Sequence, residues 1–262
     1  MRNWIAAALV AAAATAAQAA VKEEPVTYKD GAGTTLKGFV VYDDAVKGKR
    51  PGIVVVHEWW GITKHTHSEA RRFAQHGYTA FIADMYGDAK TADNPKDATN
   101  LMKGLMSDPV VTKARFDAAR DELAKQPTVD ANRIAASGYC MGGAVVLNMA
   151  RAGEPLAAVA AFHPGLGGYR AGGDGVKAKV LVLNGADDPF NKPEQIDAFK
   201  KDMDAAKADY KFINYPGAVH AFTNPEATEA GKKFNLPLAY NAKVDKESKA
   251  EADKLFAAAL KK

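Results

Sequence analysis

A single cysteine, Cys140, lies in a glycine-rich turn whose spacing is typical of a catalytic nucleophile. The chain reads Gly138-Tyr139-Cys140-Met141-Gly142-Gly143, with a strand-like segment before the turn and a small-residue helix after it. A nucleophile placed there sits on a strained strand-to-helix turn, where side chains two residues away would collide with neighbouring backbone. N–H groups at the start of the helix can stabilise a thiolate or an oxyanion. A buried structural cysteine is the alternative, and the surrounding strand and helix disfavour it.

The nucleophile needs a base, and the base needs a carboxylate that orients it. Proteins with such a turn place these groups in the chain order nucleophile, acid, histidine. Two histidines follow Cys140, namely His163 and His220. His220 lies in the loop after the last predicted strand, so we predict that it is the base. His163 ends the strand after the nucleophile helix, which predicts a supporting or structural group near the site.

The acid is expected after the next-to-last strand, where two adjacent aspartates follow Gly185. Adjacent residues on an extended turn face different ways, so only one of them can point at His220. The spacing from Gly185 favours Asp188, with Asp187 as the alternative. The other aspartate is then a turn residue.

The loop after the first central strand, His57-Glu58-Trp59-Trp60-Gly61, is predicted to complete an oxyanion hole. The backbone N–H of Met141, directly after the nucleophile, supplies the first donor and that of Trp59 the second. A buried Glu58 beside two tryptophans needs a partner, and the Cys140 thiol is one candidate. A solvated loop with tryptophans packed beneath it is the alternative.

Composition and charge disfavour several other classes of protein. The 262 residues are 47% hydrophobic and 25% charged, with a net charge of +4, which are ordinary globular values. Basic clusters such as Lys47-Gly48-Lys49-Arg50 read as solvated loops, so no nucleic-acid partner is expected. His57, His65 and His67 have no second ligand cluster elsewhere, so we expect no metal site.

Apolar segments of strand length alternate with segments of helical periodicity. This alternation predicts an α/β fold, with a mostly parallel central sheet covered by helices on both faces. The predicted strands are 34–42, 52–56, 78–83, 132–137, 156–162, 179–183 and 210–214. The predicted helices are 65–76, a stretch opened by 93–95, 108–125, 144–150, 193–207 and the last twenty residues. No repeat or linker divides residues 20–262, which we predict to be one domain.

The first nineteen residues have the pattern of a cleaved secretion signal. Arg2 is followed by the apolar run Trp4–Ala17 and by the small-x-small sequence Ala17-Gln18-Ala19. The run is shorter than the roughly 20 apolar residues that a membrane anchor needs. A buried N-terminal helix is the alternative, which the lack of a polar face disfavours. We therefore expect a periplasmic or secreted protein without a membrane anchor after cleavage, whose lone thiol meets an oxidising compartment.

Taken together, these motifs resemble the dienelactone hydrolase family over about residues 27–260. The resemblance implies an α/β-hydrolase fold, a Cys140–Asp188–His220 triad and no cofactor. It also implies that Glu58 contacts the Cys140 thiol and keeps the thiol unreactive until substrate binds. The segments that carry the resemblance are His57-Glu58-Trp59-Trp60-Gly61, Ala83-Asp84-Met85-Tyr86-Gly87, Gly138-Tyr139-Cys140-Met141-Gly142-Gly143, Gly185-Ala186-Asp187-Asp188-Pro189 and His220-Ala221-Phe222.

The sequence departs from the family pattern where the substrate would be held. Family members that open dienelactones hold the substrate carboxylate with arginines, one after the tyrosine of the second motif and one shortly after the histidine. Here residues 87–89 and 223–225 contain no arginine, and Lys90 is the nearby cation. A bidentate carboxylate clamp is therefore not expected. The substrate pocket is expected to include three aromatic residues of the motifs: Trp60, Tyr86 and Phe222.

The predicted function is hydrolysis of a small ester, lactone or thioester by a cysteine triad. Two alternatives from other classes remain. One is a thiol or redox role in which Cys140 forms reversible adducts, and the other is a small-molecule-binding protein on a hydrolase scaffold. A monomer is the default expectation, because the sequence carries no signal for assembly.

Overall fold

The computed structural model describes residues 21–168 and 175–261, so the predicted signal lies outside the described residues. Within them the chain forms one eight-stranded sheet of order β1-β2-β4-β3-β5-β6-β7-β8. The first two strands pair antiparallel and β2 joins β4 antiparallel, whereas β3 to β8 are parallel to one another. The strands are β1 (Val21–Lys29), β2 (Thr35–Asp43), β3 (Arg50–Val56), β4 (Thr79–Ala83), β5 (Val129–Tyr139), β6 (Ala158–Phe162), β7 (Lys179–Gly185) and β8 (Tyr210–Tyr215).

Helices cover both faces of the sheet, as predicted. They are α1 (Lys64–Gln75), α2 (Pro95–Met106), α3 (Pro109–Ala124), α4 (Met141–Arg151), α5 (Pro193–Ala205), α6 (Ala227–Phe234) and α7 (Ala242–Ala259). Side chains alternate along β3, so Val54 and Val56 join the core beneath α3 and α4. Ile53 and Val55 join the opposite core, beneath α1 and α7. A strand buried on both faces reads as the continuous apolar run that the sequence shows.

Local signals in the sequence set the helix boundaries. The Asn94 side chain accepts a hydrogen bond from the Asp97 N–H at 3.0 Å. Asp108 caps the following helix in the same way, and each cap precedes a proline at the first helical position. Gly77 ends the turn after α1 with φ 84°, a conformation that glycine adopts at little cost.

Two elements were not predicted. β1 is an edge strand with Pro25 and several charged residues, so its side chains show no apolar alternation. Helix α6 lies in what we had predicted as loop between His220 and the C-terminal helix. No helix in the two described stretches is long and apolar enough to cross a membrane.

Candidate active site

The nucleophile turn has the predicted geometry. β5 ends at Tyr139 and α4 begins at Met141, which leaves Cys140 between them with φ 55° and ψ −116°. A Cβ atom on Gly138 would lie 2.1 Å from the Gly142 carbonyl oxygen, and one on Gly142 would lie 2.3 Å from the Val56 oxygen. Glycine is therefore required on both sides, because backbone occupies the space of a side chain.

The structure brings together the three residues predicted as a triad. His220 Nδ1 lies 2.7 Å from Asp188 Oδ2, and the Cys140 side chain neighbours the same imidazole. Asp188 is only 4% exposed. Asp187 is exposed, and its N–H donates to the Ala218 carbonyl at 3.0 Å. Of the two aspartates, Asp188 is thus the one that orients the histidine.

The surroundings of His220 favour its protonated form. Burial lowers the pKa of His220, but the neighbouring Cys140 and the hydrogen bond to Asp188 outweigh burial and raise the pKa to about 10. At neutral pH the ring is therefore an imidazolium.

Two backbone N–H groups point to an oxyanion hole. Met141 is the first residue of α4, so its N–H has no partner within the helix. The Trp59 N–H donates to no acceptor among the described residues. The Tyr86 hydroxyl holds the Trp59 loop by donating to the Trp59 carbonyl at 2.8 Å. His57 fixes the same loop, because its Nδ1–H donates to the Glu58 carbonyl at 2.6 Å.

The Glu58 carboxylate has two partners in this structure, and its contact with the thiol stays a prediction. Its hydrogen bond goes to Asn224 and its ion pair to His65, both through Oε2. The Asn224 amide donates at 2.6 Å, and His65 Nδ1 lies at 3.4 Å. Burial raises the pKa of Glu58, but His65 and Asn224 outweigh it and lower the pKa. The sequence missed this pairing because His65 comes from α1.

A largely apolar cavity of about 590 Å³ opens over Cys140 and His220. Phe190 forms part of its rim and is 46% exposed, with its ring edge-on to the His220 imidazole at 5.0 Å. Among the described lining residues, Lys103 is the cation besides His220, and no arginine is present. The lining residues are Trp59, Met102, Lys103, Met106, Ser107, Cys140, Met141, Ala144, Gly165, Phe190, His220, Leu236 and Leu238.

The three aromatic pocket candidates do not line this cavity. Phe222 is fully buried in the core against His163. Tyr86 lies behind the loop that carries Trp59, where its hydroxyl also contacts the Met141 sulfur. Trp60 faces a smaller neighbouring cleft beside Phe234. The motifs supply the floor of the cavity through Trp59, Cys140, Met141 and His220, whereas most of the remaining wall lies outside them.

The two residues that replace the family arginine after the histidine also point away from the cavity. Thr223 is fully buried and its hydroxyl lies 2.8 Å from His163 Nε2, whereas Asn224 binds Glu58. Lys90 is exposed and does not line the cavity. The residues of the actual wall could not be predicted from the sequence, because that wall depends on which loops converge in space.

Comparison with known proteins agrees with this geometry. The family model "Dienelactone hydrolase family" matches residues 36–260. Protein usf of Aquifex pyrophilus is 30% identical over 222 residues, which cover 79% of this chain and 93% of that protein.

Solved structures show the same fold. A dienelactone hydrolase-like promiscuous phosphotriesterase from metagenomic libraries superposes with a TM-score of 0.86 and 35% identity, covering 92% of this chain and all of that one. A dienelactone hydrolase from Anabaena variabilis has a TM-score of 0.63 at 16% identity, with 92% of this chain and 99% of that chain covered. At that identity the likeness concerns the fold alone.

The parallel sheet and the strained turn at the end of β5 define an α/β-hydrolase. Within that class, the chain belongs to the dienelactone hydrolase family. It is therefore a hydrolase that acts on ester bonds.

Proposed function

We propose that the protein is a cysteine-dependent hydrolase of small, neutral and largely apolar esters or lactones. The observation that carries this proposal is the series Asp188–His220–Cys140 at the floor of an apolar cavity. In it the carboxylate is hydrogen-bonded to the imidazole, and the thiol neighbours the imidazole. Cys140 is the nucleophile, His220 is the acid and base, and Asp188 orients the imidazole. A thioester of the same size is an equivalent substrate, since its acyl carbon is attacked in the same way.

The acylation step follows from these positions. The Cys140 thiolate attacks the acyl carbon and forms a C–S bond, while the electron pair of the carbonyl moves onto its oxygen. The N–H groups of Met141 and Trp59 stabilise that oxyanion. As the intermediate collapses, the bond to the leaving oxygen breaks and the His220 imidazolium gives its proton to that oxygen. An alcohol and an acyl thioester on Cys140 result.

Deacylation runs through the same groups. Neutral His220 takes a proton from water, and the resulting hydroxide attacks the thioester carbon. The C–S bond then breaks and releases a carboxylic acid, with the sulfur leaving as the thiolate beside the imidazolium. The Asp188 carboxylate stabilises the positive charge on His220 in both steps, and no cofactor is needed for either.

The cavity wall supports a neutral substrate. Met102, Met106, Leu236 and Leu238 offer no hydrogen-bond partner to a carboxylate, and Lys103 is solvent-exposed rather than buried. A desolvated carboxylate without a paired cation is unfavourable in such surroundings. A neutral phosphotriester meets the same requirement, and one relative carries that activity in its name. Phosphotriesters are therefore the second candidate class of substrate.

Hydrolysis of a chromogenic short-chain ester tests the proposal. We expect the protein to turn the ester over, and Cys140→Ala to lose activity by about three orders of magnitude or more while keeping its melting temperature. Alkylation of the wild type by iodoacetamide should remove activity in parallel. Cys140→Ala activity within about tenfold of wild type would exclude the nucleophile assignment. Stoichiometric thiol adducts without ester turnover would instead favour the redox alternative.

Export from the cytoplasm is a further part of the proposal, and it rests on the pattern of residues 1–19. The full chain should be processed after Ala19 in a Gram-negative host and recovered in the periplasmic fraction. N-terminal sequencing of the recovered protein checks this, with an Ala17→Lys variant as the processing-deficient control. An unprocessed wild-type chain that remains in the cytoplasm would overturn it.

A further inference from the structure

His163 lies directly beneath the proposed catalytic groups but takes no part in the chemistry described above. It follows the last residue of β6 and is fully buried. Its ring packs edge-on against His220, with the ring centres 5.3 Å apart, and against Phe222 at 5.0 Å. Both nitrogens of a fully buried imidazole need hydrogen-bond partners, and these partners define its state next to His220.

The hydrogen bonds of His163 define which nitrogen carries its proton. The Cys140 backbone N–H can only donate, and it lies 3.1 Å from His163 Nδ1, so Nδ1 is the acceptor. The proton of the neutral ring is therefore on Nε2, which donates to the Thr223 hydroxyl at 2.8 Å. Replacing that hydroxyl by a methyl group removes the acceptor that selects this tautomer.

The charges around His163 keep it neutral. Burial lowers its pKa well below the usual range, and the neighbouring His220, His65 and Lys249 lower the pKa further. A protonated ring would carry hydrogen on both nitrogens and could no longer accept from Cys140. The neutral state and the Cys140 hydrogen bond thus depend on each other.

The Thr223 hydroxyl connects His163 and Cys140 to the loop that carries Glu58 and Trp59. It lies 3.3 Å from His65 Nε2, and His65 Nδ1 lies 3.4 Å from the Glu58 carboxylate. These contacts form a buried series, which we call the His163–Glu58 network: His163, Thr223, His65 and Glu58. It joins the nucleophile turn to the loop that carries Trp59.

The nucleophile turn needs such support. The Cys140 backbone has φ 55°, a strained value for a non-glycine residue that persists only when the surroundings impose it. Its N–H donates to the Phe162 carbonyl at 3.0 Å as well as to His163. Two acceptors on one N–H restrain the peptide plane from which the thiol projects.

We propose that His163 and Thr223 are positioning residues, which hold the Cys140 main chain so that the thiol stays aligned with His220. The inference rests on the proposed function, because it assigns a purpose to that alignment. Neither residue touches the substrate cavity, so both act through Cys140. Loss of the Thr223 hydroxyl leaves the His163 Nε2–H without an acceptor and favours the tautomer that carries hydrogen on Nδ1.

The test compares Thr223→Val, which keeps the shape and removes the hydroxyl, with Thr223→Ser, which keeps the hydroxyl. For ester hydrolysis we expect Thr223→Val to lower kcat by about tenfold with KM within twofold of wild type, because the cavity is unchanged. Thr223→Ser should restore kcat to within about threefold of wild type. Melting temperatures of both variants show whether the fold is kept.

Iodoacetamide alkylation of Cys140 gives a second measurement that needs no substrate. Thr223→Val should be alkylated at least fivefold more slowly than wild type at pH 6, because the displaced thiol no longer lies beside His220. The two rates should agree within about twofold at pH 10, where any thiol is largely ionised. Alkylation profiles and kcat that match wild type in Thr223→Val would overturn the positioning role, whatever the melting temperature. Failure of wild type to hydrolyse esters would overturn only the proposed function, since alkylation still reports the alignment.

Discussion

The protonation of His220 has a direct kinetic consequence. Its pKa is raised to about 10, so the imidazolium that must protonate the leaving group is present across the neutral range. We expect kcat/KM for a neutral ester to stay high as the pH rises past 7 and to fall only near pH 10, as the imidazolium loses its proton. A histidine with an ordinary pKa near 6.5 would give that fall about three and a half pH units earlier. A pH profile corrected for spontaneous hydrolysis distinguishes the two.

The aspartate pair offers a matched test at the same scale. Asp188→Asn should lower kcat by about three to four orders of magnitude, because the amide no longer holds His220 in the required orientation and tautomer. Asp187→Asn should stay within about twofold of wild type, since that side chain is exposed and only its N–H is used. Steady-state kinetics of both variants test this assignment. A large loss of kcat in Asp187→Asn, with kcat kept in Asp188→Asn, would reverse it.

Residues that depend on local sequence could be predicted, and those that depend on distant partners could not. Cys140 stands out by its glycines, and Asp188 and His220 by chain order and position after a strand. The partners of Glu58 come from α1 and from the loop after His220, so no local pattern identifies them. His163 could be predicted to lie near the site. Its hydrogen bond to the Cys140 N–H could not be predicted, because the two residues are distant in the sequence.

At the scale of elements, the strand-to-helix turn leaves no room for side chains. Gly142→Ala would put a Cβ atom 2.3 Å from the Val56 carbonyl oxygen. We expect the substitution to lower the free energy of unfolding by about 3 kcal/mol or more, because backbone on both sides must shift. Gly104→Ala is the control: it lies inside α2 with nothing within 4 Å of the added Cβ. That change should raise stability by about 0.5–1 kcal/mol. Urea denaturation measures both, and a mild effect of Gly142→Ala would contradict the packing.

The elements that form the cavity wall determine whether the enzyme prefers anionic or neutral substrates. Without an arginine among the described lining residues, kcat/KM for an anionic lactone should not exceed that for its neutral methyl ester. Lys103→Met should lower the anionic value by about threefold and leave the neutral one unchanged, because Lys103 is exposed and screened. Lys90→Met is the control and should change neither. A strong anion preference that survives Lys103→Met would place the responsible cation outside the described residues.

Buried elements were the easier part of the fold to predict. The central strands carry unbroken apolar runs, so their places along the chain and the mostly parallel sheet could be predicted from the pattern. β1 escaped prediction because an edge strand tolerates Pro25 and charges, and its pairing energy comes from β2. Helix α6 escaped because its eight residues contain a glycine and few apolar positions.

For the whole molecule, the buried ion pair between Glu58 and His65 sets a pH window of stability. Burial lowers the pKa of His65, but Glu58 outweighs it and raises the pKa, so this contribution is complete below pH 6.5 and is lost as the pH rises through the raised value. The pKa of Glu58 is lowered, so its contribution is complete above pH 4.5 and is lost as the pH falls through the lowered value. The pair stabilises the fold most between these two limits.

We therefore expect the free energy of unfolding to fall by about 1–3 kcal/mol as the pH drops from 5.5 to 3. Glu58→Gln should weaken that acid dependence, because the amide has no charge to lose. Glu194→Gln, which alters an exposed residue at the start of α5, should leave it intact. Urea titrations at the two pH values provide the comparison, and equal acid dependence in Glu58→Gln and wild type would exclude the pair as its source.

The cavity wall and the catalytic groups come from different parts of the architecture. Cys140, Asp188 and His220 follow strands, whereas Met102 and Met106 belong to α2, and 236–238 follows α6. Mutations that reshape the wall therefore need not disturb the strand ends. In evolutionary terms the scaffold is modular: a descendant can acquire a new substrate by drift in α2 or in segment 236–238 while inheriting its bond-breaking apparatus unaltered. Laboratory selection for a new ester should accordingly enrich changes in those two segments first.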